Sequence, residues 1–183
     1  MNEQDVLDAI KQRSSVRAYQ AQSIEPDKIE RCLEAARLAP SACNAQPWTF
    51  IVVDDPDLKN ELAQTTSDRW LPLNHFTQQA PVHVVLVLEP GKLTSRAGGL
   101  VKKRDFRWMD IGIAAAHFCL QATAEGLGTC MLGWFNERQA QQLLGIPKHK
   151  SVALIITLGY PATPEARPKQ RKDLAEITRK NRY

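Results

Sequence analysis

Several common signatures are missing from this 183-residue chain. Its four cysteines (Cys32, Cys43, Cys119, Cys130) stand far apart without a C-x-x-C pair, and its four histidines (His75, His83, His117, His149) are equally scattered. That spacing speaks against a metal site and for reduced, mostly buried thiols. Only nine glycines occur, and none forms a G-x-G-x-x-G after a strand. Gly126-Leu127-Gly128 and Gly98-Gly99 are too short to mark a dinucleotide fingerprint. No apolar run nears the roughly 18 residues of a membrane span. The opening MNEQDVLDAIKQR is acidic and then amphipathic, unlike a secretory leader. The expectation is a cytoplasmic protein, one domain over residues 1–183, with no membrane partner.

Apolar residues make up 43% and charged residues 24%, an ordinary balance for a packed core. The net charge of +4 is unevenly placed. Residues 165–183 hold seven Lys/Arg against three acids, which leaves residues 1–164 balanced. A second basic run, from Lys92 to Arg107, includes Arg96, Lys102, Lys103 and Arg104 against Asp105 alone. The basic tail has no interleaved aromatic platform, and no nucleic-acid reader motif appears. A bound phosphate or a solvated surface is the better use for such charge.

Hydrophobic spacing predicts a first helix over about 2–11 and a second within SIEPDKIERCLEAARLAPS. Pro26 suits the first turn of the second helix and Pro40 its end, with Ile29, Leu33, Ala36 and Leu38 as the apolar face. WTFIVV reads as a strand, and DPDLKNELAQTT as a short helix with Asp55 or Asp57 near its cap. Residues 67–80 read as irregular. VHVVLVL (82–88) and VALIITLGY (152–160) are unbroken β-formers, as in strands covered on both faces. Between them a helix over about 106–125 is apolar nearly all round and should be buried. Its exceptions, Asp110, His117, Gln121 and Glu125, share one side and read as partly solvated surface or a subunit contact. GLGTCMLGWF predicts a turn and short strand. NERQAQQLLG predicts a helix capped by Asn136 and ended by Gly145. Without a regular βαβ repeat, the fold class is α+β, helices flanking a mostly antiparallel sheet.

Three separated segments carry matching chemistry. In KQRSSVRAY, Arg13, Ser14, Ser15 and Arg17 offer two guanidiniums and two hydroxyls, and paired guanidiniums suit a dianionic phosphate. In LAPSACNAQPWTF two prolines stiffen a connection filled with Ser41, Asn44 and Gln46, side chains suited to polar ring edges and hydroxyls. In RPKQRKDL, Lys169 and Arg171 add cationic donors. Together they describe a pocket for a molecule with a phosphate at one end and a polar heterocycle at the other.

These segments, with QAPVHVVLV, MDIGIAAAHFCLQATAEGLGTCMLGWF and LIITLGYPA, occur in the order seen in the nitroreductase family of FMN-dependent oxidoreductases, which the chain resembles from about Asp5 to Ile177. The resemblance implies an interlocked homodimer with FMN at the subunit interface. It places Arg13, Ser14, Ser15 and Arg17 at the phosphate and one flavin edge. Lys169 and Arg171 become the late basic pair, within a 167–183 segment that completes the phosphate site and dimer. Pro40, Ser41, Ala42 and Asn44 become the loop that crosses from the other subunit, with Gln46 beside it. Leu132, Gly133 and Trp134 become the stretch whose backbone amides approach flavin N5 and O4. Two positions depart from some relatives: Ser14 replaces a larger basic side chain, and Gly133 a glutamate.

The implied activity passes hydride from NADH or NADPH to flavin N5, and then electrons to a nitroaromatic, quinone or similar small acceptor, in a ping-pong cycle. Flavin carries that chemistry, so no catalytic side chain is required. The alternatives are a specialised family chemistry (reductive dehalogenation or oxygen-dependent flavin cleavage) and a non-enzymatic FMN-binding or sensing module. The basic stretch 92–107 suits a solvated loop better than a site for the extra phosphate of NADPH.

Overall fold

The computed structural model describes residues 3–67, 73–90, 105–163 and 168–183. Among these, α1 (Glu3–Gln12) and α2 (Pro26–Arg37) precede β1 (Trp48–Val53) and α3 (Pro56–Gln64). Then come β2 (Val82–Leu88), the long α4 (Phe106–Ala124), β3 (Gly128–Leu132), α5 (Glu137–Leu143), β4 (Ser151–Gly159) and a short α6 (Leu174–Ile177). Three-residue and five-residue 3-10 turns lie at Ala42–Asn44 and His75–Gln79.

The four strands form one sheet in the order β1-β2-β4-β3, every ladder antiparallel. β2 is buried at every residue, as its unbroken apolar run demands of a central strand. Alternation then divides two cores. Val82, Val84, Leu86 and Leu88 face α2 and α4 with Ile111, Phe118 and Ile156. Val85 and Val87 face α3 and α5 with Val53, Leu62, Ala140 and Ile155. The result is a helix–sheet–helix sandwich, the α+β arrangement expected.

Caps fix the helix starts. Asp55 accepts the Leu58 amide at 2.9 Å, and Asn136 accepts that of Gln139 at 3.1 Å, each satisfying a first-turn donor. α4 ends with Gly126 at φ 76, its amide on Thr123 O at 3.1 Å and that of Leu127 on Ala122 O at 2.8 Å. This is the left-handed terminus that glycine makes cheap.

Some expectations need correction. In α2, Cys32 rather than Leu38 completes the buried face with Ile29 and Ala36, and Leu38 is exposed beyond the helix end. Helix α4 is not covered all round, for Trp108, Met109 and Ile113 are exposed. Its polar stripe is not one surface either. Asp110 is buried, whereas Glu125 turns to Arg31 on α2 in a forked pair at 2.7 and 2.9 Å. Cys43 is exposed, unlike the other three thiols. The 67–80 stretch contains an ordered turn at 75–79, with residues 68–72 outside the described set. The basic run from Lys92 to Arg104 also lies outside the described residues.

Candidate functional site

Residues 13–20 leave α1 and lie along β3 and the end of β4. The Val16 amide donates to Thr129 O at 2.9 Å, and Ser15 forms a parallel bridge with Thr129. Gly128 permits this approach, since a Cβ there would stand 2.6 Å from Val16 Cγ2 and 2.8 Å from Val16 Cβ. Tyr19 fastens the far end. Its hydroxyl donates to Val16 O at 2.9 Å and accepts from Thr157 Oγ1 at 2.6 Å. The Gln20 amide reaches Tyr160 O at 2.9 Å, and the Ala162 amide reaches Ala18 O at 2.9 Å.

This pinned segment forms one wall of a cleft of about 610 Å³, within the usual range for small-molecule and cofactor sites. Arg13, Ser14, Ser15 and Arg17 line it, and Lys169 and Arg171 line it from a stretch more than 150 residues away in sequence. The α4–β3 turn, from Thr123 to Gly128, closes it. Sequence reasoning grouped the six cleft-lining side chains, and the fold brings them to one place.

The charged side chains among the described residues that line the cleft are all cationic. Among the described residues, no carboxylate forms an ion pair with any of its four cations. Burial and then the like charges of Arg13 and Arg171 hold Lys169 below its ordinary pKa. The Lys169 amine donates to Ile10 O at the end of α1, a carbonyl otherwise left open by the helix. An anion entering here would relieve repulsion already present, and could take two parallel hydrogen bonds from each guanidinium.

The other expected residues do not line this cleft. Pro40, Ser41, Ala42, Asn44 and Gln46 form a separate loop in front of β1. Cys43 (φ 53), Asn44 (φ 50) and Gln46 (φ 48) all adopt the left-handed region, uncommon for residues other than glycine. Ser41 Oγ accepts the Gln46 amide at 2.9 Å, and Gln46 Nε2 donates to Asn44 Oδ1 at 3.0 Å. Three left-handed residues within four positions, held by internal bonds, distinguish this loop from a simple turn. Leu132, Gly133 and Trp134 leave the end of β3. Leu132 is buried, Gly133 and Trp134 are exposed, and a Cβ on Gly133 would meet nothing within 4 Å.

Sequence reasoning missed Gly128 and Tyr19, which pin the cleft wall, and Asp110, whose Oδ1 accepts the Ala42 amide at 3.1 Å. The first two gave no signal beyond a turn glycine and a lone aromatic. Asp110 was visible only as one polar position of a long helix.

Comparison with known proteins gives a consistent picture. A model of the family described as Nitroreductase family matches residues 10–160. A protein of Methanothermobacter thermautotrophicus, provisionally named NADH dehydrogenase/NAD(P)H nitroreductase, is 30% identical over 166 residues, 88% of this chain and 80% of its own. Mouse iodotyrosine deiodinase 1 is 25% identical over 200 residues, 97% of this chain and 70% of its own. The structure of an FMN-dependent nitroreductase from Clostridium difficile R20291 is 27% identical with a TM-score of 0.76, covering 97% of this chain and 99% of its own.

Proposed function

Because the chain belongs to the nitroreductase family, we propose that it is an FMN-dependent oxidoreductase that takes electrons from NADH or NADPH and delivers them to small organic acceptors. The observation that carries this reading is the convergence of Arg13, Arg17, Lys169 and Arg171, with two serine hydroxyls, on one cleft that has no carboxylate in its lining among the described residues.

The donor set fits the group. A phosphate monoester presents three oxygens and close to two negative charges, which two guanidinium forks, an ammonium and hydroxyl donors can satisfy together. Bound FMN would supply the redox chemistry, as a two-electron carrier between nicotinamide and acceptor. The protein's own tasks are then physical. Arg13, Ser14, Ser15 and Arg17 anchor the phosphate from a wall fixed by Gly128 and Tyr19. Lys169 and Arg171 close over it from the tail. The net positive field of the cleft favours negative charge on the bound group, an electrostatic preorganisation that is often the largest catalytic effect.

The remaining residues fit a homodimer. In one chain Val6, Leu7 and Ile10 on α1, Trp108, Met109 and Ile113 on α4, and Leu174 and Ile177 near the C-terminus are all exposed. Large apolar surface of this kind usually marks an interface. A second copy seated there would let the rigid Pro40–Gln46 loop reach its partner's flavin, beside Leu132, Gly133 and Trp134. No side chain is assigned as acid, base or nucleophile.

The test is reconstitution with FMN followed by anaerobic titration with NADH and with NADPH. Stoichiometric yellow protein bleached by at least one nucleotide supports the proposal, and protein that retains no FMN refutes it. Retained FMN that neither nucleotide bleaches would instead indicate a flavin-binding module without turnover. A second reading, reductive dehalogenation of an aryl halide, is favoured by the similarity to iodotyrosine deiodinase. Parallel turnover assays with nitroaromatics, quinones and halogenated phenols separate the two.

A further inference from the structure

Asp110 is 5% exposed, and its two carboxyl oxygens differ. Oδ1 accepts the Ala42 amide at 3.1 Å, whereas Oδ2 is buried without a hydrogen-bond partner among the described residues. A half-satisfied carboxyl inside a protein costs stability that an apolar side chain of similar size would not. The helix itself has no use for it, since Ile111, Ala114, Ala115 and Phe118 already supply the buried face of α4. What Asp110 does is hold Ala42.

Ala42 is where that grip matters. It opens the turn that leads into Cys43 at φ 53 and Asn44 at φ 50, and Gln46 follows at φ 48. Left-handed backbone at three non-glycine residues relaxes unless the surroundings over-determine it. The bonds from Gln46 to Ser41 and Asn44 tie the loop to itself and do not fix where it stands. The side-chain bond from Asp110 ties it to the longest helix of the described residues.

We infer that Asp110 is the positioning residue of the flavin-facing loop: through the Ala42 amide it sets the placement of Ser41, Asn44 and Gln46 against α4. This rests on the FMN reading above. Among the described residues Asp110 meets the loop at the Ala42 amide, through which it acts.

Four full-length variants test it: Asp110→Ala, Asp110→Asn, Ala42→Pro and the double variant Asp110→Ala/Ala42→Pro. Proline removes the donor, and its Cδ takes the place of the amide hydrogen facing Asp110 Oδ1, so the single variant pushes the loop off α4 and the double variant relieves that clash. Ala42 is the first residue of its turn, and Ser41 before it is extended, at φ −145 and ψ 153, as a residue preceding proline should be. Three quantities are read: hydrogen exchange of the 42–46 amides without FMN, the FMN dissociation constant, and the thermal midpoint. Asp110→Ala and Ala42→Pro should each speed loop exchange and weaken FMN roughly tenfold, the usual weight of a hydrogen bond to a charged group. The double variant should be no worse than either single. Asp110→Asn, which still offers Oδ1, should keep FMN affinity within about threefold and a midpoint nearer wild type than that of Asp110→Ala, which leaves the Ala42 amide without its acceptor.

The inference is overturned by unchanged loop exchange in Asp110→Ala, or by additive losses in the double variant. Loss of FMN only in step with dimer dissociation would also overturn it, by assigning Asp110 to the subunit contact. Failure of every form, wild type included, to bind FMN would refute the cofactor reading, while the exchange series still decides whether Asp110 holds the loop.

Discussion

Gly128→Ala is the most informative small change, because it adds a single methyl group where the cleft wall crosses β3. That methyl would lie 2.6, 2.8 and 2.9 Å from Val16 Cγ2, Cβ and Cγ1. Ordinary carbon–carbon contact begins near 3.5 Å, so a shift approaching 1 Å is required. Val16 Cβ cannot swing away by rotation, and the Val16 amide is held on Thr129 O at 2.9 Å. The 13–17 segment itself must lift. Overpacking of this kind costs about 1–3 kcal/mol. Losing glycine's unfolded-state freedom offsets about 0.4–1 kcal/mol of that, which leaves a net destabilisation near 1–2 kcal/mol. Urea denaturation reads the stability and flavin fluorescence the FMN affinity, and both should fall. Val16→Ala in the same background removes two of the three clashing atoms and should restore part of each, since the 2.8 Å contact with Cβ remains. If Gly128→Ala matched wild type in both measurements, or if Val16→Ala added to the damage, the account of how this wall is placed would be wrong.

Arg17→Ala should weaken FMN binding by about 1.5–3 kcal/mol, the weight of a charged hydrogen bond, without lowering the urea midpoint; a normal dissociation constant would remove Arg17 from the site. Tyr19→Phe deletes the hydroxyl that donates to Val16 O and accepts from Thr157 Oγ1, and should cost about 1–3 kcal/mol in urea denaturation through the partners left unsatisfied. Acid stability follows from His83, fully buried on β2, whose pKa is pushed down to about 4, chiefly by burial and further by Lys59. Its native pKa lies below its unfolded value, so its stabilisation is complete above about pH 6.5 and declines as pH falls toward 4, by roughly 3 kcal/mol in all. His83→Leu should flatten the stability profile across that window, and an unchanged slope would assign the acid sensitivity elsewhere.

The legibility of this chain depended on how local each signal was. β2 and the core of β4 were readable because a strand buried on both faces must be apolar at every position. Asp55 and Asn136 were readable as caps because a first-turn amide needs a nearby acceptor whatever the tertiary structure. The six cleft residues were found by their chemistry, since clustered guanidiniums and hydroxyls advertise an anion before any fold is known. What stayed hidden was set by contacts distant in sequence. Gly128 matters because of Val16, and Asp110 because of Ala42; neither partner is adjacent to it in the chain. The left-handed turn at Cys43, Asn44 and Gln46 was not foreseen, since none of these is glycine and only Asn44 belongs to a type that readily enters that region. The exposed side of α4 misled because its composition is that of a buried helix, as suits a surface that a second chain would cover.

The central claim is that cations from both ends of the chain meet on one phosphate, and comparing the affinities of FMN and riboflavin tests it most directly. The two ligands share the ring and the ribityl chain and differ only in that phosphate. The account predicts that FMN binds at least ~100-fold more tightly at low salt, as two or more charged hydrogen bonds would give, with the gap narrowing as salt rises. Equal affinities, or a gap insensitive to salt, would contradict it.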